Sequence, residues 1–384
     1  MSREVSQNDA MSSLFGASLL SSVGSLPLHL VPLIVAALIA DFRTSVVGAG
    51  WIASAILFGQ LSTALLLPAL GIYSVGRALA FAATVVLTIG VAISAAADYL
   101  IMLAGWFLVG QCCGVFSYLG TVATSRFSRP VFAFSFRLGI VLIFAGCVSG
   151  MLQLSGMLTS YLNLLIVIVT ALTPMVALGT ILHRPVNGEA SYIYKKVQRL
   201  EIGSIAGLLI VLLFFVGQTG YLSYAIQQAV GRGMTFEVTA MSLALMKISA
   251  GIWVLCSSCV GNEDPKNTRF LNLTLVLIAA IVALFYSRHV LIFFLALLAI
   301  EMALNKLSAR LQAAVVAAWP EFAGRWLTGV MLLGAASGPP LNGFMISIGL
   351  DEAFVVICVL SAVGPLAWHQ WSICRASMVE TVRT

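Results

Sequence analysis

Long, nearly uninterrupted apolar stretches fill this chain, and short polar breaks divide them at a fairly regular interval. A membrane-crossing helix needs about 20 mostly apolar residues, because the hydrocarbon slab is roughly 30 Å thick and a helix rises about 1.5 Å per residue. Read for stretches of that length, the sequence predicts twelve spans: 13–38, 44–68, 77–97, 100–124, 131–154, 159–182, 203–229, 235–260, 270–287, 290–315, 323–349 and 353–373. The breaks are Asp41-Phe-Arg43, Gly71 to Arg77, Ala97-Asp98, Arg126 to Pro130, Gly261 to Arg269, Ser287-Arg288-His289 and Asp351-Glu352. Strand spans are excluded, because the stretches are too long and do not alternate. Helices also close all their backbone hydrogen bonds internally, as lipid requires. The first apolar run continues far beyond a signal-peptide core and reads as a retained helix.

Composition agrees. Only 9% of the 384 residues are charged, against about a quarter in a soluble protein. The net charge of +6 does not point to nucleic acid, since the positive residues sit in links between apolar runs. With a cytoplasmic amino terminus, fifteen cations fall at the inner side: Arg3, Arg77, Arg126, Arg129, Arg137, Arg184, Lys195, Lys196, Arg199, Lys266, Arg269, Arg310, Arg325, Arg375 and Arg383. Three fall outside (Arg43, Arg232 and Arg288), and Lys247 and Lys306 lie within spans. That bias predicts that both termini are cytoplasmic. The expected location is the plasma membrane, specifically a bacterial inner membrane. The seven cysteines lie mostly within apolar runs, where they act as small hydrophobes. No disulfide framework, metal or cofactor is expected, and the single pair Cys256-Ser-Ser-Cys259 is weak evidence for one.

The polar, basic link from His183 to Glu201 divides the chain into residues 1–182 and 202–384, with six spans on each side. Its charges are read as orienting the chain against anionic headgroups. Span five opens Arg137-Leu-Gly-Ile-Val-Leu-Ile-Phe-Ala-Gly146-Cys-Val-Ser149-Gly150. Span eleven opens Arg325-Trp-Leu-Thr-Gly-Val-Met-Leu-Leu-Gly334-Ala-Ala-Ser337-Gly338, with Arg, Gly, Ser and Gly at the same offsets. Such internal repeats build many secondary carriers. The pairs Gly146 with Gly150 and Gly110 with Gly114 read as close helix packing.

Twelve spans, a central link, inward termini and two six-span halves resemble the major facilitator superfamily over nearly the whole chain. The resemblance implies two pseudo-symmetric six-helix bundles and transport by alternating access, with the protein working as a monomer. The family's loop signature after span two is kept as Gly76-Arg77, with Tyr73-Ser74 in place of the acidic-basic pair and Ala69 in place of the leading Gly. After span eight, Gly261, Lys266 and Arg269 fit the same pattern, while Pro265 and Thr268 depart from it. Trp106 with Gly110 stands where many proton-coupled exporters carry Arg and Gly. Span five lacks the Gly-Pro element of drug antiporters; span eleven has Gly338-Pro339-Pro340 and Gly343. Gly76, Arg77, Gly338 and Pro339 are therefore candidates for gate or structural roles.

Ionisable groups at depth cost about 2.5–3.5 kcal/mol each on insertion scales and usually face the protein interior. Glu301 lies near the middle of span ten, Lys247 near the middle of span eight, and His29 somewhat outward of centre in span one. Glu301 and His29 are candidates for proton coupling, since burial and a nearby cation move a carboxylate's proton affinity in opposite directions and His titrates near neutrality. A permanent Glu301–Lys247 salt bridge is the structural alternative. Asn305 shares the face of Glu301, and Lys306 is close enough to the inner end to snorkel. Lys247, Asn305, Gln218, Tyr221, Tyr224, Gln111 and Tyr118 are candidates for a cavity that hydrogen-bonds a polar solute. Packing is the alternative for Tyr224. Arg137 and Arg325 are assigned to gating or anchoring.

The expected function is secondary transport of a small polar organic solute, anionic in one version, coupled to protons. Efflux of amphipathic drugs or metabolites is the second reading, and a sensor or scaffold is the third. No P-loop and no nucleophile–acid–base constellation argues for an enzyme.

Overall fold

The computed structural model describes residues 7–42, 44–72, 77–96, 98–127, 129–154, 161–182, 202–260, 268–286, 289–318, 320–350, 352–353, 355–367 and 370. Side chains are not described at 7–10, 77, 202–204, 258–260, 268–269, 317–318 and 320–325. The 183–201 link, Gly76, the loop after span eight through residue 267, and the side chains of Arg77 and Arg325 lie outside what is described.

Each predicted span is a helix, with ends moved by a few residues. The first six are α1 (Gln7–Phe42), α2 (Val46–Ala69), α3 (Arg77–Ser94), α4 (Tyr99–Ser125), α5 (Pro130–Leu154) and α6 (Tyr161–Leu182). Span seven is two helices, α7 (Ile202–Ser223) and α8 (Ala225–Val230); α9 (Phe236–Val260), α10 (Thr268–Tyr286), α11 (Val290–Ala318) and α12 (Pro320–Ser347) follow. The last, α13, covers Val355–Ala367. Eight of these are long and apolar enough to cross a bilayer, and α3, α10 and α13 are shorter apolar helices.

Caps begin several helices. Ser45 accepts from the Gly48 N–H at 3.1 Å to start α2, and Asp98 accepts from Leu100 and Ile101 to start α4, satisfying N–H groups with no partner in the helix. Short links make successive helices antiparallel, so the bundle has a linker end, where α6 leaves and α7 enters, and an opposite far end.

α1 is central: 72% of its apolar window is buried, against 33% for α6. It packs on α4, α5 and α6. Outward faces are apolar, with Phe81, Leu100, Leu154 and Leu291 each more than two-thirds exposed. This is the inverse of a soluble surface and fits a lipid solvent. The two sets of helices meet along two seams, α5 against α9 and α2 against α12.

Small residues set those seams. A Cβ on Gly146 would come within 2.7 Å of the Ala244 carbonyl, and one on Gly251 within 2.8 Å of the Gly139 carbonyl, so α5 and α9 touch backbone to backbone. Gly110 and Gly114 do the same for α4 against α2. Gly150 does not: its nearest neighbour would be the Ala244 Cβ at 3.8 Å, which leaves room for a methyl. The repeated glycines also have unlike neighbours. Gly146 meets α9 across the seam, whereas Gly334 and Gly338 meet α7 within their own bundle.

Candidate functional site

Span seven is not continuous, and the reason is readable at Tyr224. Its φ of −111° and ψ of 14° leave the helical region, and its N–H turns to the Tyr221 carbonyl at 3.4 Å. The Gly220 carbonyl thereby loses its helical donor and receives Asn342 Nδ2 of α12 at 2.7 Å. Facing this break, Pro339 and Pro340 remove two N–H donors from α12, freeing the carbonyls of Ala335 and Ala336 four residues earlier. Thr219 of α7 donates to Ala335 at 2.8 Å, and Ser54 of α2 donates to Ala336 at 2.8 Å. Hydroxyls re-satisfy the broken helix, as lipid demands, and one of them crosses the seam. Tyr224 completes the far-end contact, its hydroxyl reaching the carbonyls of Val46 in α2 at 3.1 Å and Pro339 in α12 at 3.2 Å. Gly50 and Gly343 make room, since a Cβ on either would lie 2.5 Å from that hydroxyl.

Between the bundles, toward mid-depth, is a cavity of about 60 Å³ walled by α1, α2, α4 and α5 on one side and α7, α11 and α12 on the other. That is far below the few hundred Å³ of a formed ligand pocket. Its polar wall includes His29, Gln60, Gln218, Asn305 and Arg137. Gln218 presents a buried amide oxygen with no hydrogen-bond partner among the described residues.

Behind Asn305 sits a buried ion pair. Lys247 Nζ of α9 lies 3.0 Å from Glu301 Oε1 of α11, and both side chains are at most 5% exposed. Asn305 Nδ2 donates to Glu301 Oε2 at 3.0 Å and to the Glu301 carbonyl at 2.7 Å. Asn305 lines the cavity while Glu301 and Lys247 do not. The amide is therefore the layer between the cavity and the carboxylate. The Tyr221 hydroxyl is buried without a hydrogen-bond partner among the described residues. His29 lies in the opposite wall.

The linker-end side of the cavity holds Arg137. It is 4% exposed, its Nη1 donates to Thr121 Oγ1 of α4 and its Nη2 to Gln312 Oε1 of α11, both at 2.8 Å. The Phe134 ring lies 5.3 Å from its guanidinium. Lys306 does not reach for the membrane surface. It is buried, with Nζ 3.4 Å from Ser135 Oγ of α5, because Ser135 offers an oxygen at that depth. The bundles thus touch at both ends of the cavity.

Other residues expected in the wall lie elsewhere. Gln111 faces Ser62 of α2 at 3.4 Å, where close α4–α2 packing holds it. Tyr118 is fully buried outside the cavity wall, and Tyr224 serves the far-end contact. Trp106 donates to Tyr161 at 2.6 Å, and Tyr161 donates on to the Ser94 carbonyl while its N–H meets Asp41, tying α1, α3, α4 and α6 together at the far end. Thr121, Gln312, Ser308 and Gln60 join the site without having been singled out. A sequence signal existed for two of them: Glu301, Asn305, Ser308 and Gln312 follow at steps of four, three and four, one face of α11.

No family model matches the sequence, and no curated protein matches it. Solved structures do match. The human organic anion transporter MFSD10 (TETRAN) superposes with a TM-score of 0.69 at 12% identity, over 94% of this chain and 99% of that one. The proton:xylose symporter XylE, of the major facilitator superfamily, gives 0.69 at 13% identity over 94% of each chain. A bacterial homologue of the human lysosomal transporter Spinster gives 0.60 at 11% identity, over 93% of this chain and 95% of that one. The fold is that of the major facilitator superfamily. In the major facilitator fold the twelve spans are α1 to α6, α7 with α8 as one, and α9 to α13. The cavity just described lies between its two bundles.

Proposed function

We propose that this protein carries a small polar organic solute across the plasma membrane by alternating access, coupled to protons at Glu301. The observation that carries the reading is the cavity between the bundles, polar-walled, bounded by contacts at both ends and backed by the Glu301–Lys247 pair. A solute that hydrogen-bonds Asn305 draws that amide from Glu301 Oε2. The carboxylate then loses one of its two side-chain donors and is left with Lys247 alone. His29, on the cavity surface, hands protons between the cavity and the buried pair. The convergent hydroxyls and amides favour a polar solute over a greasy one. The matched structures include a proton:xylose symporter and an organic anion transporter, and both descriptions fit this reading. The excess of cations at the linker end orients both termini toward the cytoplasm.

Uptake of radiolabelled sugars, amino acids and organic acids into proteoliposomes, with and without an imposed pH gradient, tests it. Native protein accumulates its solute only with the gradient. Glu301→Gln retains solute exchange at equal pH and loses accumulation. Gradient-driven accumulation that survives the substitution rules Glu301 out as the proton site.

A further inference from the structure

Of the three buried cations around the cavity, Lys247 is already answered by Glu301 and Lys306 reaches Ser135 outside the cavity wall, whereas Arg137 faces no carboxylate among the described residues. The described acidic side chains other than Glu301 are Asp41, Asp98, Glu237 and Glu352, and all lie at the far end, away from Arg137. A guanidinium held out of water without a counter-charge is strongly unfavourable. Thr121 and Gln312 orient it and Phe134 stacks near it, but none of these carries negative charge. Its Nε–H is buried and unpartnered among the described residues, and the residue forms part of the cavity wall.

We infer that Arg137 binds the anionic group of the solute, a carboxylate or a phosphate. The inference rests on the transport reading and names the substrate class for that same cavity. The planar fork of Arg suits either anion in a two-pronged contact that Lys does not reproduce. Gln60, Ser117, Ser308 and Thr328 line the same cavity and supply hydrogen bonds to the remainder of the molecule. Thr121 and Arg137 belong to the first bundle and Gln312 to the second, so the bound anion sits at the junction and helps hold the bundles together on the linker-end side. Lys247 takes no part in binding the solute.

Matched acid and neutral compounds distinguish the outcomes: gluconate with glucose, benzoate with benzamide, and glycerol 3-phosphate with glycerol, at constant ionic strength set by potassium chloride. Binding is read by thermal stabilisation of the purified protein and by counterflow in proteoliposomes. At least one acid binds tenfold or more tightly than its neutral partner, and whether that acid is a carboxylate or a phosphate identifies the anion. Arg137→Gln removes this preference, and Arg137→Lys weakens acid binding at least tenfold while leaving the protein folded. Should Arg137→Gln fail to fold, the Arg137→Lys result and the native acid-to-neutral ratio decide.

Equal binding of acids and neutral partners, or no binding by any acid, overturns the inference. An acid preference that persists in Arg137→Gln, or an unweakened Arg137→Lys, overturns it too. Counterflow of a neutral compound in those same vesicles shows that the transport reading stands without it.

Discussion

Replacing Lys247 by Met would strand Glu301 in a dry interior with only the Asn305 amide against its charge. Removing one partner of a buried pair costs about 3–5 kcal/mol, whereas replacing both by apolar groups of similar volume is close to neutral. Lys247→Met is therefore expected to lower the midpoint of detergent-induced unfolding markedly, and Lys247→Met with Glu301→Met to recover most of the loss. Equal losses for the single and double replacements would mean that the pair is not coupled. The midplane ionisable residues were legible in the sequence because charge at depth is costly and so rare. Their partners were less so. The Glu301–Asn305 contact followed from four-residue spacing, and the Lys247 contact was one of two readings. The wall position of Arg137 depended on where α4, α5 and α11 converge, which one chain's spacing does not reveal.

At the scale of elements, the helix ends came from apolar length and polar punctuation, since lipid thickness fixes both. The break between α7 and α8 was missed because no Pro marks it, and Gly217 and Gly220 just before it are ordinary in membrane helices. Tyr224 leaves the helix there because Asn342, 118 positions later, takes the carbonyl it abandons. Likewise Pro339 and Pro340 were visible, but Thr219 and Ser54, which answer their freed carbonyls, come from other helices. Ser54→Ala leaves the Ala336 carbonyl unanswered at the α2–α12 seam. Interhelical hydrogen bonds in membranes average about 0.6 kcal/mol, so an unfolding loss of about that size is expected; no loss would mean that Ala336 finds another donor. Tyr224→Phe removes two contacts at once. It is expected to speed labelling of a thiol placed at Gln218 by a membrane-impermeant reagent added from the far side. An unchanged rate would remove Tyr224 from the closing contact.

For the whole molecule, twelve spans in two bundles were readable because each span reports itself independently. The small cavity was not, since it exists only where seven helices from both bundles meet. Hydrogen bonds join the bundles on both the far-end and the linker-end sides of it. Under the proposed alternating access, one set of contacts must release while the other holds, because opening both ends together would make a leak. The far-end set is Tyr224 with Val46 and Ser54 with Ala336; the linker-end set is Arg137 with Gln312 and Lys306 with Ser135. Spin labels at Leu100 and Leu350 span the far end, and labels at Leu70 and Leu271 span the linker end. All four side chains are well exposed. Distance distributions for the two pairs, recorded in nanodiscs for native protein and Glu301→Gln across acid and neutral pH, test alternation most directly. Alternating access predicts that one distance lengthens as the other shortens. Two distributions that stay fixed, or that widen together, would contradict it.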